Sequence, residues 1–335
     1  PSTRWYSGSG ISRDVYVWTG GKTRIEPWDL FVSTNSITDN CAELSIKYCI
    51  TSDLDCQSDI IFEVSDKNGN TVLKQSEALD LKEGKNNNEL ILNIKNAELW
   101  SPDSPVLYKL TTKISVNGEL EDTSYTDFGI RTISADSKNG LLLNGKSIKL
   151  KGGCIHHDHG VLGSAEFPTA VYRKLSLLKN AGYNAVRTAH YPPSLTFLET
   201  CDKLGMLVMD EAFDMWNEPK NDLDYSLWFR DWWQRDISYM VLRDRNHPCV
   251  ISYSIGNEIP ERDGRSDGAI WSRKLSDEIR KYDNTRLVTE GICNLWEPYY
   301  YATGLPEDYD FIKFSDFSDP FGEITAKGAE PLDIV

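Results

Sequence analysis

The feature that most limits this chain is a change of apolar period at Asn139-Gly140. Before it, apolar and β-branched residues recur in short alternating runs, at 42–50, 60–64, 89–94 and 107–116. A period of two belongs to half-buried strands. Turn chemistry separates the runs, at Asn68-Gly69-Asn70, Lys82-Glu83-Gly84 and Asn117-Gly118, where residues that tolerate positive φ close hairpins. Seven or so such strands in about 100 residues predict a β-sandwich.

After Asn139-Gly140, short apolar runs alternate with stretches of helical spacing, the pattern of βα units around a parallel sheet. Strands are predicted at 148–151, 185–188, 206–210, 250–255, 286–289 and, cut short, 332–335. One helix is opened by Pro168 and closed by Gly182, and a second covers 193–204. A third, over about 226–245, carries Phe229, Trp233, Ile237, Met240 and Val241 on one face. Trp271, Leu275, Ile279 and Tyr282 mark a fourth. The run at 250–255 is continuously apolar, as a strand covered on both faces requires. Six strands with their crossovers fit the first three quarters of a (β/α)8 barrel. The fold expected is multidomain, β then α/β: a β-sandwich followed by an incomplete TIM (β/α)8 barrel.

A chain of 335 residues exceeds one ordinary domain. With 51 acidic against 36 basic residues its formal net charge is −15, which repels nucleic acid and anionic membranes and fits a neutral small molecule or glycan better. No stretch approaches the roughly 20 apolar residues of a membrane span. Seven cysteines, an odd set without a CxxC pair, suggest neither a disulfide framework nor a zinc knuckle. The chain opens on Pro1 rather than Met, so localisation stays open.

In a (β/α)8 barrel, reactive groups gather where the strands end. Those positions hold His156, His157, Asp158 and His159, then Arg187, His190 and Tyr191, then Asp210, Glu211 and Asp214, then Asn257 and Glu258, then Glu290. A polar set this dense is hard to derive from packing. Singly, each residue has a plain structural reading. A Glu after an apolar strand can anchor a loop, Asn257 can start a turn, and Arg187 can pair with Asp210 or Glu211 across neighbouring strands. His247 reads as a helix-stop histidine bonded to backbone. The tryptophans of the 226–245 helix read as core, whereas Trp216 and Trp296, in loops on the strand-end side, are candidates for stacking on a sugar.

The run Asn184-Ala185-Val186-Arg187-Thr188-Ala189-His190-Tyr191-Pro192 resembles the first signature of glycoside hydrolase family 2. Asn246-His247-Pro248-Cys249-Val250-Ile251-Ser252-Tyr253-Ser254-Ile255-Gly256-Asn257-Glu258 resembles its acid/base signature, with Tyr253 where the family usually has Trp and Cys249 where Ser is common. Arg4-Trp5-Tyr6 with Gly10-Ile11-Ser12-Arg13-Asp14-Val15 is similar to the close of the family's N-terminal sugar-binding jelly roll. Leu99-Trp100-Ser101-Pro102 with Leu107-Tyr108 is similar to its immunoglobulin-like middle domain. The resemblance divides the chain into the tail of the jelly roll (1–20), an immunoglobulin-like β-sandwich (21–133) and a partial TIM-barrel catalytic domain (134–335).

The resemblance implies a retaining β-glycosidase, with β-galactosides as first substrates and β-glucuronides or β-mannosides as alternatives. Position by position, Glu258 matches the general acid/base and Asn257 the residue that bonds the sugar 2-hydroxyl. His156 and His190 match histidines that line the glycone pocket, and Asp214 lies in a loop that binds a glycone hydroxyl. Arg187 and Trp296 complete the candidate substrate-binding set. No metal ligand and no cofactor are assigned, with a structural or activating divalent or alkali cation left open. The partner expected is a carbohydrate substrate, with no nucleic acid and no membrane. A homo-oligomer of the full-length protein stays open.

A retaining glycosidase needs two carboxyl groups about 5 to 5.5 Å apart. The family's nucleophile is a Glu after the seventh strand, so it is expected beyond residue 335, and these residues alone are expected to be silent. Glu290 follows the fifth strand, where the family has no nucleophile, and reads as a supporting or substrate-edge group. Two rivals remain. His157-Asp158-His159 has the His-x-His form of metal-dependent amidohydrolases, but no histidine follows His247. A carbohydrate-binding protein on a decayed glycosidase barrel would keep the scaffold and lose the chemistry.

Overall fold

The computed structural model describes residues 10–263, 267–292 and 331–333. Among them, seven strands build a sandwich: β1 (Thr23–Thr38), β2 (Cys41–Ser52), β3 (Cys56–Ser65), β4 (Thr71–Leu81), β5 (Gly84–Lys95), β6 (Tyr108–Val116) and β7 (Glu119–Phe128). They form two antiparallel sheets, β1-β2-β5 and β4-β3-β6-β7. Alternate residues face inward, as a half-buried strand requires. Ile60, Phe62 and Val64 of β3 and Leu90, Leu92 and Ile94 of β5 meet Leu44 and Ile46 in one core. Asn117 and Gly118 adopt φ of 53° and 83°, so the Asn-Gly pair closes the β6–β7 hairpin with positive φ at both central residues.

A small antiparallel sheet follows, made of β8 (Ile133–Asp136), β9 (Gly140–Leu143) and β10 (Lys146–Ser147). Five strands then run parallel and side by side in chain order: β11 (Gly152–Ile155), β12 (Ala185–Thr188), β13 (Leu207–Glu211), β14 (Val250–Asn257) and β15 (Leu287–Gly291). The crossovers carry α1 (Pro168–Asn180), α2 (Leu195–Leu204), α3 (Ser226–Asp244) and α4 (Gly268–Tyr282). Every residue of β14 is buried, in keeping with its unbroken apolar run. Neighbouring parallel strands joined by helices form an arc of a (β/α)8 barrel.

Two expectations need correction. The first barrel strand is not at 148–151 but at Gly152–Ile155, in parallel register with Ala185–Thr188. Ile148 instead donates its N–H to Leu141 O at 3.0 Å, continuing the small sheet. A side chain at Gly152 would bring Cβ within 2.3 Å of Ala185 O. Close approach of two backbones requires that glycine. The tryptophans of α3 are not uniformly core: Trp228 and Trp232 are 58% and 41% exposed. They lie one turn apart on the outer face, where Arg235 covers the Trp232 ring at 4.9 Å, while Trp233 packs edge-on against Trp271.

Of the expected sixth strand, Leu332 and Asp333 are described and lie in no strand. Asp333 exchanges two hydrogen bonds with Val288, through its N–H (2.8 Å) and its Oδ2 (2.7 Å). The remainder, like Arg4-Trp5-Tyr6, falls outside the described residues.

The sandwich grips the barrel at the start of β14. Asn246 donates from Nδ2 to Leu30 O (2.7 Å) and accepts the Val32 N–H at Oδ1 (2.9 Å). The buried Arg131 donates to Pro248 O and Val250 O, at 3.1 and 2.8 Å. Trp100, fully buried in the barrel's own core cluster, donates from Nε1 to Asp202 O at 3.0 Å. The strand that ends in Asn257 is thereby fixed at its beginning by the neighbouring domain.

Candidate active site

The C-terminal ends of the five parallel strands bring together His156, Arg187, His190, Glu211, Asp214, Asn257, Glu258 and Glu290. Strand alternation sorts the acids of β13. Successive side chains point to opposite sides, so Asp210 faces Asp244 of α3, whereas Glu211 turns to Arg187. Burial, then the Asp244 carboxylate, pushes the Asp210 carboxyl well above its ordinary range.

Glu211 is the hub. Its Oε2 accepts from Arg187 Nε (2.7 Å) and Ser254 Oγ (2.6 Å) and lies 2.6 Å from Arg187 Nη2 in an ion pair. Its Oε1 faces His190 Nδ1 at 2.6 Å. The Glu211 N–H donates to Thr188 Oγ1 at 3.1 Å. Of the two partners the sequence allowed for Arg187, the structure selects Glu211. Arg187 Nη2 also donates to Asn257 Oδ1 at 2.9 Å.

That bond orients the Asn257 amide. Its oxygen faces a cation, and its Nδ2 donates to Asp214 Oδ1 at 2.9 Å. Lys220, from the loop between β13 and α3, donates to Asp214 Oδ1 (2.8 Å) and to Asn257 O (2.5 Å). His156 meets His190 edge-on, with centroids 5.4 Å apart. Burial, then the neighbouring His190, lowers its pKa and favours the neutral ring. Lys174 of α1 braces the loop that carries His156 by donating to His156 O at 3.0 Å and to Asp158 O.

Glu258 follows β14 directly. It is half-buried, its N–H donates to Gly291 O at 2.7 Å, and its φ is 45°. A left-handed conformation in a residue other than glycine is stored strain, which clusters at functional sites.

Other sequence candidates land elsewhere. Trp216 is not a sugar platform: it is 1% exposed, donates from Nε1 to Ile255 O at 2.9 Å and stacks on Phe229. A loop position reads as surface, but this loop folds inward over α3. Trp296 lies outside the described residues. His247 bonds a carboxylate rather than backbone through its ring, with Nδ1 2.6 Å from Asp202 Oδ2. His157 packs edge-on against Tyr191 and His159 precedes a short 3-10 turn. Among the described residues no group of three or more His, Cys, Asp or Glu converges on a possible metal position. Sequence reasoning left Ser254 and Lys220 without a role at the site and gave Glu211 only as a strand-end acid and one of two possible partners of Arg187. Glu211 and Ser254 carried a usable signal, since both occupy parallel strands on the same face as Arg187.

Comparison with known proteins agrees with the motifs. The description "Glycosyl hydrolases family 2, TIM barrel domain" matches residues 135–299, and "Glycosyl hydrolases family 2" matches residues 23–131. The chain is 38% identical over 330 residues to the β-galactosidase BoGH2A of Bacteroides ovatus, covering 88% of this chain and 38% of that protein. It is 34% identical over 311 residues to a putative β-glucuronidase of Formosa agariphila, covering 92% of this chain and 28% of that one. The crystal structure of a glycosyl hydrolase family 2 member from Bacteroides cellulosilyticus superposes with a TM-score of 0.87 at 36% identity, over 98% of this chain and 39% of the other. The chain thus spans well under half the length of the relatives it matches. Two family profiles covering sandwich and barrel, and a fold shared at this identity, place it without ambiguity: the chain belongs to glycoside hydrolase family 2.

Proposed function

We propose that the protein hydrolyses terminal β-glycosides, β-galactosides first among them, by a retaining double displacement in which Glu258 is the general acid/base. The observation that carries this reading is the placement of Glu258 at the end of β14, strained into a left-handed turn beside an Asn257 whose amide is oriented by Arg187 and Asp214. In the first step Glu258 gives its proton to the departing oxygen while a second carboxylate attacks the anomeric carbon. In the second step Glu258 takes a proton from the water that releases the sugar. The Asn257 amide nitrogen carries two hydrogens. One serves Asp214, and the other is suited to a sugar hydroxyl.

A neutral glycone is favoured because, among the described residues, both cations at the centre of the cluster already engage carboxylates, Arg187 with Glu211 and Lys220 with Asp214. The name of the Formosa agariphila relative supports β-glucuronides as the second reading. The partner carboxylate of Glu258 is assigned to no described residue.

The test is Glu258→Gln in the full-length protein. Loss of turnover on a β-galactoside with a poor leaving group, with activated substrates spared in kcat/KM, supports the assignment. Unchanged turnover of the poor-leaving-group substrate removes it. A panel of aryl β-galactosides, β-glucuronides and β-mannosides decides the glycone.

A further inference from the structure

Lys220 belongs to none of the motifs that carry the family resemblance. Its side chain is only 11% exposed, and a buried ammonium is retained only where charge and hydrogen bonds compensate it. Asp214 supplies the charge. The second bond goes to Asn257 O, and that oxygen belongs to the peptide unit whose N–H is that of Glu258.

The same peptide is held from its other edge, because the Glu258 N–H donates to Gly291 O at 2.7 Å. A peptide unit is planar, so two bonds on opposite edges set its tilt. That tilt fixes the rotation on either side, including the φ of 45° at Glu258. For an L residue this region lies above the extended or helical wells, so the turn needs something to hold it. The direction in which the Glu258 side chain leaves the main chain follows from that plane.

We propose that Lys220 is a positioning residue for Glu258: it grips the oxygen of the Asn257–Glu258 peptide against Asp214 and so aims the acid/base. The inference rests on the reading of Glu258 as acid/base. It differs from a glycone-binding role for Lys220, which would act through Asp214 alone.

The experiment separates these. Lys220→Met, Lys220→Arg and Lys220→Gln are made in the full-length protein beside Glu258→Gln. Each is assayed on two β-glycosides of the glycone that the wild type turns over, one with an alkyl leaving group and one with a dinitrophenyl leaving group. Only the alkyl leaving group needs a proton in the glycosylation step, which kcat/KM reports. Lys220→Met is expected to lose about 10²-fold or more in kcat/KM on the alkyl substrate and less than about tenfold on the dinitrophenyl one, within the range of general acid catalysis. Lys220→Arg, which keeps a cationic donor, is expected to recover part of the alkyl activity. If Lys220→Met lacks a cooperative thermal transition, Lys220→Gln is read in its place.

Equal losses on both substrates overturn the inference, as does full alkyl activity in the Lys220 variants where Glu258→Gln has lost it. A Glu258→Gln protein with no selective alkyl loss overturns the underlying reading instead.

Discussion

Arg187 and Glu211 form an ion pair across neighbouring strands in which both Nε and Nη2 address a single oxygen, Oε2, at 2.7 and 2.6 Å. This leaves Oε1 to His190, so one carboxylate sets the position of a cation and an imidazole at the same time. Arg187 in turn orients Asn257, one residue from the proposed acid/base. Order at the site therefore passes from Glu211 outward.

Removing that carboxylate should be costly. Glu211→Gln keeps the volume but leaves Arg187 without its counter-charge, and breaking a buried pair on one side destabilises by about 3 to 5 kcal/mol. Urea unfolding of the variant should show a lower midpoint than the wild type. An unchanged midpoint would mean that solvent or a second acid compensates Arg187. Arg187→Lys should also lose activity, because one ammonium cannot address Glu211 and Asn257 in the directions of a planar guanidinium.

Trp216 gives a test that separates packing from sugar contact. Its ring lies in the core against Phe229 and its N–H is used by Ile255 O. Trp216→Ala should destabilise by about 3 to 5 kcal/mol, and Trp216→Phe by about 1 kcal/mol through the carbonyl left without its donor. KM in the folded Trp216→Phe protein should stay within about twofold of wild type, since a shift below 0.4 kcal/mol is all that indirect packing changes are expected to give. A tenfold rise in KM with unchanged stability would restore the platform role.

Much of the architecture was legible because it follows from periodicity. The sandwich strands alternate, and β14 is continuously apolar and wholly buried. The first barrel strand was missed because Gly152-Gly153 has no side chains to show a period, and the need for glycine there lies in Ala185, thirty-odd residues away. The site shows the same division. Chain position alone puts His156, His190, Asn257 and Glu258 at strand ends. That Glu211 rather than Asp210 meets Arg187 depends on which face of β13 turns inward, and the Lys220 contacts depend on the path of a loop. Neither is written in local pattern.

Asp210 offers a pH experiment. Its folded carboxyl is raised by burial first and by Asp244 next, with Arg243 and Arg286 opposing. A group that binds its proton more tightly when folded favours the fold below its unfolded value of about 3.9, and the benefit is lost as pH rises through the folded value. Asp210→Asn keeps an N–H donor for Asp244 without a titration. Relative to wild type, its urea midpoint should therefore rise steadily from pH 4.5 upward. Parallel pH profiles of the two proteins would show that Asp210 is ionised in the fold.

His247 offers a second pH experiment. Burial opposes its charge, but the Asp202 carboxylate at 2.6 Å, with Asp244 behind it, more than offsets burial, while Arg243 works against it, and the net pKa is raised. A histidine raised above its unfolded value of about 6.5 stabilises fully below that pH and loses the contribution as pH climbs through the folded value. The same Asp202 accepts the Cys249 N–H at 3.0 Å, and its main chain accepts from Trp100. The pair therefore ties α2 to the start of β14 and to the sandwich. The melting temperature of wild type minus that of His247→Gln should be largest near pH 6 and shrink towards pH 9, on top of a constant offset for the Asp202 bond. A difference that stays flat across this range would show that the ring remains neutral and that Asp202 holds it by hydrogen bonding alone.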